Sequence, residues 1–299
     1  MKKKWNVSDI PDQSGKMVII TGANRGLGFA ATRILAMKGA HIIMACRNME
    51  KAEVAKDLIL EEYPNSSLEI ILLDLADLSS IKKFALVYSQ KFQRLDILLN
   101  NAGAIMVPRQ ETVDGFELQF GVNHLGHFAL TGLFLEVLLK AENSRIVNMS
   151  STAHRMGKID FEDVGLEHSY SKMGAYGRSK LANLLFTYEL QRKLEKSDSS
   201  TICMASHPGW TLTNREKMSL IGKIFGPIFG QKPHMGILPM LYGATSPDAR
   251  VGAYYGPNGI LGIKGYPKEV MSNKKSHNLN DAKKLWELSE ELTGIRYPI

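Results

Sequence analysis

Tyr176 and Lys180 stand four apart in a stretch of helical period, which sets both side chains on one helix face, a turn apart. A free phenol, with a pKa near ~10, is a poor acid or base at neutral pH. An ammonium within ~4–6 Å favours the phenolate and draws the group toward the working range, so this pair could give or take a proton. Alone, Y-x-x-x-K is cheap and occurs by chance on many surface helices. Its weight comes from two further clusters. Ser150-Ser151 ends one short apolar run, and Asn100-Asn101-Ala102-Gly103 ends another.

A second chemistry is written near the start of the chain. The run Met17–Thr21 leads directly into Thr21-Gly22-Ala23-Asn24-Arg25-Gly26-Leu27-Gly28, and a helical pattern begins inside it. A tight strand-to-helix turn needs glycine where φ is positive, where backbone must approach a pyrophosphate, and where helix and strand pack closely. The helix N-terminus then offers unpaired N–H groups and a positive dipole to the anion. The spacing is G-x-x-x-G-x-G rather than G-x-G-x-x-G, and a glycine cluster by itself would fit an ordinary turn. The strand-turn-helix context favours a dinucleotide site. Arg25 lies in the turn, and Arg47 follows the second strand, where an acidic residue would bond the 2′-hydroxyl of NAD. Guanidinium forks suit a 2′-phosphate, so NADP(H) is expected over NAD(H); the blander alternative is two solvated surface arginines.

The elements that must position these groups follow from periodicity. Strands are expected at Met17–Thr21, His41–Ala45, Leu68–Leu73, Leu95–Asn100, Arg145–Ser150 and Thr201–Ser206. Helical patterns lie between them at about Leu27–Lys38, Glu50–Glu62, Ser79–Phe92, Gly115–Lys140 (read as two helices) and Ala175–Lys193. This alternation predicts an α/β chain, a doubly wound parallel sheet of the Rossmann type with helices on both faces and its chemistry at the carboxyl edge. Residues 1–14 read as an N-terminal extension and 15–299 as one domain, in which 208–299 form a lid and C-terminal segment. Within that segment a helix near His234–Thr245, a strand at Gly252–Tyr255 and a terminal helix at Leu279–Leu292 are expected.

Composition excludes other classes. Of 299 residues, 44% are hydrophobic and 22% charged, enough for a large core. The net charge of +7 is scattered and mixed with 30 acids, the one basic run being Lys2-Lys3-Lys4, so no nucleic-acid partner is expected. No apolar stretch is judged to approach the ~18 residues of a bilayer span, and no apolar core follows the N-terminal lysines, so no membrane span or secretory signal is expected. Cys46 and Cys203 each sit in an apolar run and read as small buried hydrophobes, which suits a reducing, cytoplasmic compartment. His124, His127, His154 and His207 show no paired Cys/His spacing, and no metal is expected.

Taken together, these residues resemble the short-chain dehydrogenase/reductase family. TGxxxGxG, a strand-ending NNAG, an Asn in the next helix, a strand-ending Ser, YxxxK and a later PG occur in order across about residues 15–213. The resemblance implies a Ser-Tyr-Lys oxidoreductase that moves a hydride between NADP(H) and a carbonyl or alcohol carbon. By it Gly22, Asn24, Arg25, Gly26, Leu27 and Gly28 form the cofactor turn. Arg47, Asp74 and Leu75 would flank the adenosine, with Asp74 on the adenine, and Asn101, Ala102 and Gly103 would line the cofactor. Asn123 would help hold a water-linked proton relay, Ser151 would bond the substrate oxygen, and Tyr176 would move the proton. Lys180 would bond the nicotinamide ribose, and Pro208, Gly209, Thr211 and Thr213 would close over the nicotinamide. Ser151 is preferred to Ser150 on strand alternation and family position. In the family, helices corresponding to Gly115–Lys140 and Ala175–Lys193 pair between subunits, which implies a homodimer, although core burial would give the same pattern.

The chain departs from the family pattern in one place. The 24 residues between Ser151 and Tyr176 exceed the usual dozen or so and read as a substrate-side loop. That spacing, with LWELSEELTG near the end, looks like the branch of retinol dehydrogenases and protochlorophyllide-reductase-like enzymes, though a fold and cofactor carry many functions. His154 is a candidate substrate contact beside Ser151, and Trp210 with 216–229 could shape an apolar pocket. The alternatives are an epimerase or dehydratase on the same scaffold, disfavoured by the turn spacing and NNAG, and an NADP-binding sensor or scaffold without turnover, disfavoured by the filled catalytic positions.

Overall fold

Short β-branched runs that cannot bury themselves as helices line up side by side in one sheet. The structure is a computed structural model, described here for residues 4–211 and 230–299. Its strands are β1 (Met17–Thr21), β2 (His41–Cys46), β3 (Ser67–Leu72), β4 (Ile97–Asn100), β5 (Arg145–Met149), β6 (Ile202–Ser206), β7 (Tyr254–Pro257) and β8 (Pro267–Glu269). They lie in the order β3-β2-β1-β4-β5-β6-β7-β8, parallel except for the last pair. The order reverses between β1 and β4, so the crevice that binds ligands in such sheets opens at their carboxyl ends.

Helices α1 (Gly26–Met37) and α2 (Met49–Glu62) cover one face, their Ile34, Leu35, Ala52 and Ile59 packing on Ile20, Ile42 and Met44. The other face carries α3 (Leu78–Lys91), the run from α4 (Leu118–Phe120) to α5 (Gly126–Lys140), and α6 (Lys172–Lys196), with Phe84, Phe128, Leu135 and Phe186 over Ile19, Ile43 and Leu98. The expected pair of helices over 115–140 is instead one continuous run whose middle, Gly121–Leu125, is wound as a π turn. No proline breaks it, and Gly126 lets it press on the carbonyl of Leu75, which a Cβ would meet at 2.5 Å. By length and composition Leu118–Lys140 is apolar enough to cross a membrane, contrary to the sequence estimate. Its apolar character answers to burial within the protein, since 67% of that window is buried.

The segment after Pro208 does more than cap. Short helix α7 (Pro233–Gly236) lies on α1, α8 (Leu238–Thr245) packs under β5 and β6, and β7 and β8 extend the sheet. β8 was not expected, because three half-exposed residues opening on proline carry no hydrophobic alternation. The terminal helix α9 (Leu279–Thr293) lies on α6 and α5, where Trp286 and Tyr297 close an aromatic cluster with Phe128 and Phe186. The helices through which the resemblance implies subunit pairing thus already carry this chain's own C-terminal helix. Residues 4–14 are likewise packed: Ile10 is buried, and Trp5 meets Tyr242 edge-on at 5.1 Å.

Candidate active site

The turn after β1 is built by what its glycines leave out. Gly22 has φ +67°, and a Cβ on Gly28 would lie 2.1 Å from the Gly22 carbonyl oxygen, so α1 can start against β1 only without a side chain there. Arg25 is the N-cap of α1 and makes no side-chain capping bond, which leaves the first-turn N–H groups without a side-chain partner. That is the donor arrangement that a pyrophosphate fits. Arg25 is exposed, and Arg47, 74% exposed past β2, lies 3.9 Å from the carboxylate of Asp74. Asp74 accepts from the Ala76 N–H at 3.0 Å, and its neighbour Leu75 is buried beneath Gly126.

Thr21, to which the sequence reading gave no role beyond opening the glycine turn, ties this turn to the end of β4. Its hydroxyl accepts from the N–H groups of Asn101 and Ala102, both at 2.9 Å, while the Asn101 amide donates to the Thr21 carbonyl at 2.8 Å. The same hydroxyl lies 2.9 Å from His127 Nε2, and His127 Nδ1 lies 3.1 Å from the Asn123 carbonyl. Asn123 sits in the π turn, a device that recurs at functional sites because it re-aims backbone groups. Its side chain closes on Ala104, accepting from the N–H at 2.7 Å and donating to the carbonyl at 2.9 Å, and it also donates to Ser179 at 2.9 Å. A Cβ on Gly103 would be 3.0 Å from the Asn123 amide oxygen and 3.7 Å from Lys180 Nζ, so the NNAG turn, Asn123 and Lys180 meet in one place.

The structure separates the two serines at the end of β5. Ser150 is buried and its hydroxyl donates to the Lys180 carbonyl at 2.8 Å. Ser151 is half-buried, caps the 3-10 helix Thr152–Met156 by accepting from the Ala153 N–H at 3.2 Å, and acts on the Tyr176 phenol to ease its ionisation. Tyr176 and Lys180 project from the second and third turns of α6 onto one face, with Nζ 5.7 Å from the phenol centroid. Lys180 donates to the Met149 carbonyl at 2.9 Å.

The electrostatics differ from the simple pairing expected. Burial pushes the Tyr176 phenol up, the Ser151 hydrogen bond opposing it, and burial holds Lys180 down to about 7. With no carboxylate acting on either group, desolvation of the charged forms sets both directions.

His154 is buried, its Nδ1 2.6 Å from the Ser151 carbonyl and its Nε2 3.2 Å from the Asn273 N–H. Both ring nitrogens are thus engaged by the protein, and the residue braces the Ser151 backbone rather than offering a free nitrogen to a substrate. Pro208 accepts from Thr211 at 2.8 Å and from Gln231 at 2.7 Å, and Gly209 turns with φ +64°. Thr213 and the segment 216–229 lie outside the described residues.

A second network missed at the sequence level holds the long insertion. Glu117, fully buried, pairs with Arg178 at 3.1 Å, while Arg178 also donates to the Val164 carbonyl. Gln119 donates to the Tyr170 hydroxyl at 2.9 Å and accepts from the Met106 N–H at 2.7 Å. Arg178 lies two residues from Tyr176, so the helix that carries the phenol also anchors the insertion. Among the described residues no three His, Cys, Asp or Glu side chains gather as a metal site.

Comparison with known proteins agrees with this geometry. The family model for short chain dehydrogenases matches residues 16–220. The chain is 40% identical to mouse retinol dehydrogenase 12 over 95% of its own length and 88% of that protein's. It is 40% identical to human retinol dehydrogenase 13 over 95% and 86%. Among solved structures, a putative uncharacterized protein from Mycobacterium paratuberculosis superimposes with a TM-score of 0.84 at 40% identity, covering 99% of this chain and all of that one.

Proposed function

The chain belongs to the short chain dehydrogenase family, and from that premise we propose that it is an NADP(H)-dependent oxidoreductase interconverting a carbonyl and an alcohol by a Ser-Tyr-Lys mechanism. The observation that carries this reading is the meeting of Ser151, Tyr176, Lys180 and Asn123 at the carboxyl edge, beside the capless N-terminus of α1. When bound, the nicotinamide supplies or accepts the hydride. Ser151 and Tyr176 together polarise the substrate oxygen, and Tyr176 donates its proton as negative charge develops there. Lys180, four residues on, places an ammonium beside the phenol and stabilises the phenolate left behind. Asn123 holds the wall opposite through its two bonds to Ala104. Arg25 and Arg47, both exposed at the edge where the adenosine ribose would lie, support a 2′-phosphate and hence NADP(H).

A reducing, cytoplasmic setting is part of this proposal, supported by two buried cysteines that are both free. The test is oxidation of NADPH against a panel of aldehydes and ketones, followed by reduced-nicotinamide absorbance, with Tyr176→Phe as control. Turnover should fall at least about a hundredfold in the variant while NADPH still binds. Undiminished turnover would refute the assignment of the acid.

A further inference from the structure

Beyond Ser151 the carboxyl ends of β5, β6 and β7 enclose a cavity of about 230 Å3. Its walls include His154, His207 and Tyr254 on the inner side, and Leu261 and Met271 at the rim. Leu261 and Met271 are 83% and 79% exposed, so the mouth is apolar and open.

The charge in this cavity is of one sign. Arg155 and Lys268 both line it, and neither has an ion-pair partner among the described residues. No Asp or Glu lines it among those residues. Strand alternation accounts for part of this: Lys268 and Val270 face the cavity, while Glu269 between them turns away and pairs with Arg250 at 2.9 Å. Burial keeps His154 and His207 low, His207 at about 4, so at neutral pH the imidazoles add no charge and the field comes from Arg155 and Lys268. Unpaired cations lining a low-dielectric cleft concentrate anions, and a guanidinium binds a carboxylate by two parallel hydrogen bonds.

The cavity adjoins the reacting groups. Thr152 and His154 in its wall directly follow Ser151, and His154 holds the Ser151 carbonyl. The Tyr254 phenol is buried in the same wall, its ring edge-on to that of His154 at 5.6 Å. Arg155 lies four residues beyond Ser151 along a 3-10 helix, roughly 8 Å at its usual rise.

We propose that this cavity receives an anionic group of the substrate, so that the protein acts on carbonyl compounds carrying a carboxylate at the far end of a short apolar body. The inference rests on the oxidoreductase reading for its reaction, and names the substrate class that the reading leaves open. The apolar rim of Leu261 and Met271 takes the body, and Arg155 with Lys268 takes the carboxylate.

Two measurements test it. The first compares straight-chain aldehydes ending in methyl with ω-oxo acids of equal length, using NADPH and either the wild type or Arg155→Ala/Lys268→Ala. The wild type should favour the acids by about tenfold or more in kcat/KM, and the double variant should lose that preference through KM with kcat little changed. Equal use of the two series, or an equal loss on both in the variant, overturns the proposal. The second measures binding of hexanoate, which has no carbonyl to reduce, by calorimetry with the NADPH-bound protein. Hexanoate should bind the wild type and not the double variant; equal binding or none overturns the inference. Because this readout needs no turnover, binding lost in the variant without reduction of any carbonyl would keep the anion site and reject the oxidoreductase reading. Tyr176-dependent turnover without preference or hexanoate binding would do the reverse. Both substituted side chains are exposed, so the variants should fold, as a thermal midpoint near that of the wild type would verify.

Discussion

The hydroxyl of Thr21 stands 2.9 Å from Nε2 of His127, and this contact settles which ring nitrogen carries the proton. His127 Nδ1 faces the Asn123 carbonyl, which can only accept, so Nδ1 holds the hydrogen and Nε2 accepts from Thr21. The threonine oxygen in turn accepts the N–H groups of Asn101 and Ala102. One side chain thereby joins the glycine turn after β1, the NNAG turn and the π turn that bears Asn123.

Thr21→Val keeps the shape and removes the hydroxyl's bonds to Asn101, Ala102 and His127. It should cost about 3 kcal/mol of stability, since buried donors and an acceptor lose their partner. It should also weaken NADPH binding by shifting residues 101–103. Thr21→Ser should restore most of both, and denaturant titration with NADPH fluorescence reads the two effects separately.

Acid should destabilise the fold in a defined window. Burial holds His124 and His127 down to about 3 and His207 down to about 4. These rings are neutral when folded and gain protons only on unfolding, so the unfolded state binds more protons below its pKa of about 6.5. Stability is therefore full above about pH 6.5 and falls as the pH drops toward about 4. Each ring should lose on the order of 2 kcal/mol by about pH 5. A denaturation midpoint unchanged between neutral pH and about pH 5 would contradict this.

Arg178→Met should loosen the insertion more than the core. It leaves the Glu117 carboxylate buried without its cation, which costs about 3–5 kcal/mol in such settings. Adding Glu117→Gln should recover much of that loss. Limited proteolysis should cut within 158–171 in the single variant and spare the wild type.

Arg47→Asp should lower affinity for NADPH while leaving NADH nearly untouched, about a tenfold or greater change in their ratio. The Asp74 carboxylate, 3.9 Å from the Arg47 guanidinium, would then lose its cation and add to the repulsion. Dissociation constants for both nucleotides measure it, and an unchanged ratio would move the phosphate contact elsewhere.

Much of the site was readable because its groups terminate strands, and strand ends announce themselves. The apolar runs before Gly22, Asn101 and Ser151 each stop where the polar residue begins, so those residues fall together at the carboxyl edge once the sheet is parallel. The contact of Thr21 with His127 was not readable, since the two are 106 positions apart and no pattern links them. Glu117 with Arg178 escaped for the same reason: across 61 residues their charges read as two solvated side chains until the fold removes the water.

By itself the sequence determined the alternation of strand and helix, the glycine turn and the order of the chemical groups, because periodicity and backbone sterics act locally. Tertiary structure decided the rest: that Ser150 braces Lys180 while Ser151 acts on Tyr176, that His154 turns inward, and that β8 and Arg155 meet around one cavity. These depend on burial and on contacts between distant segments. Whether a hydroxyl or an imidazole serves the scaffold or the reaction is set by which partners the fold leaves it.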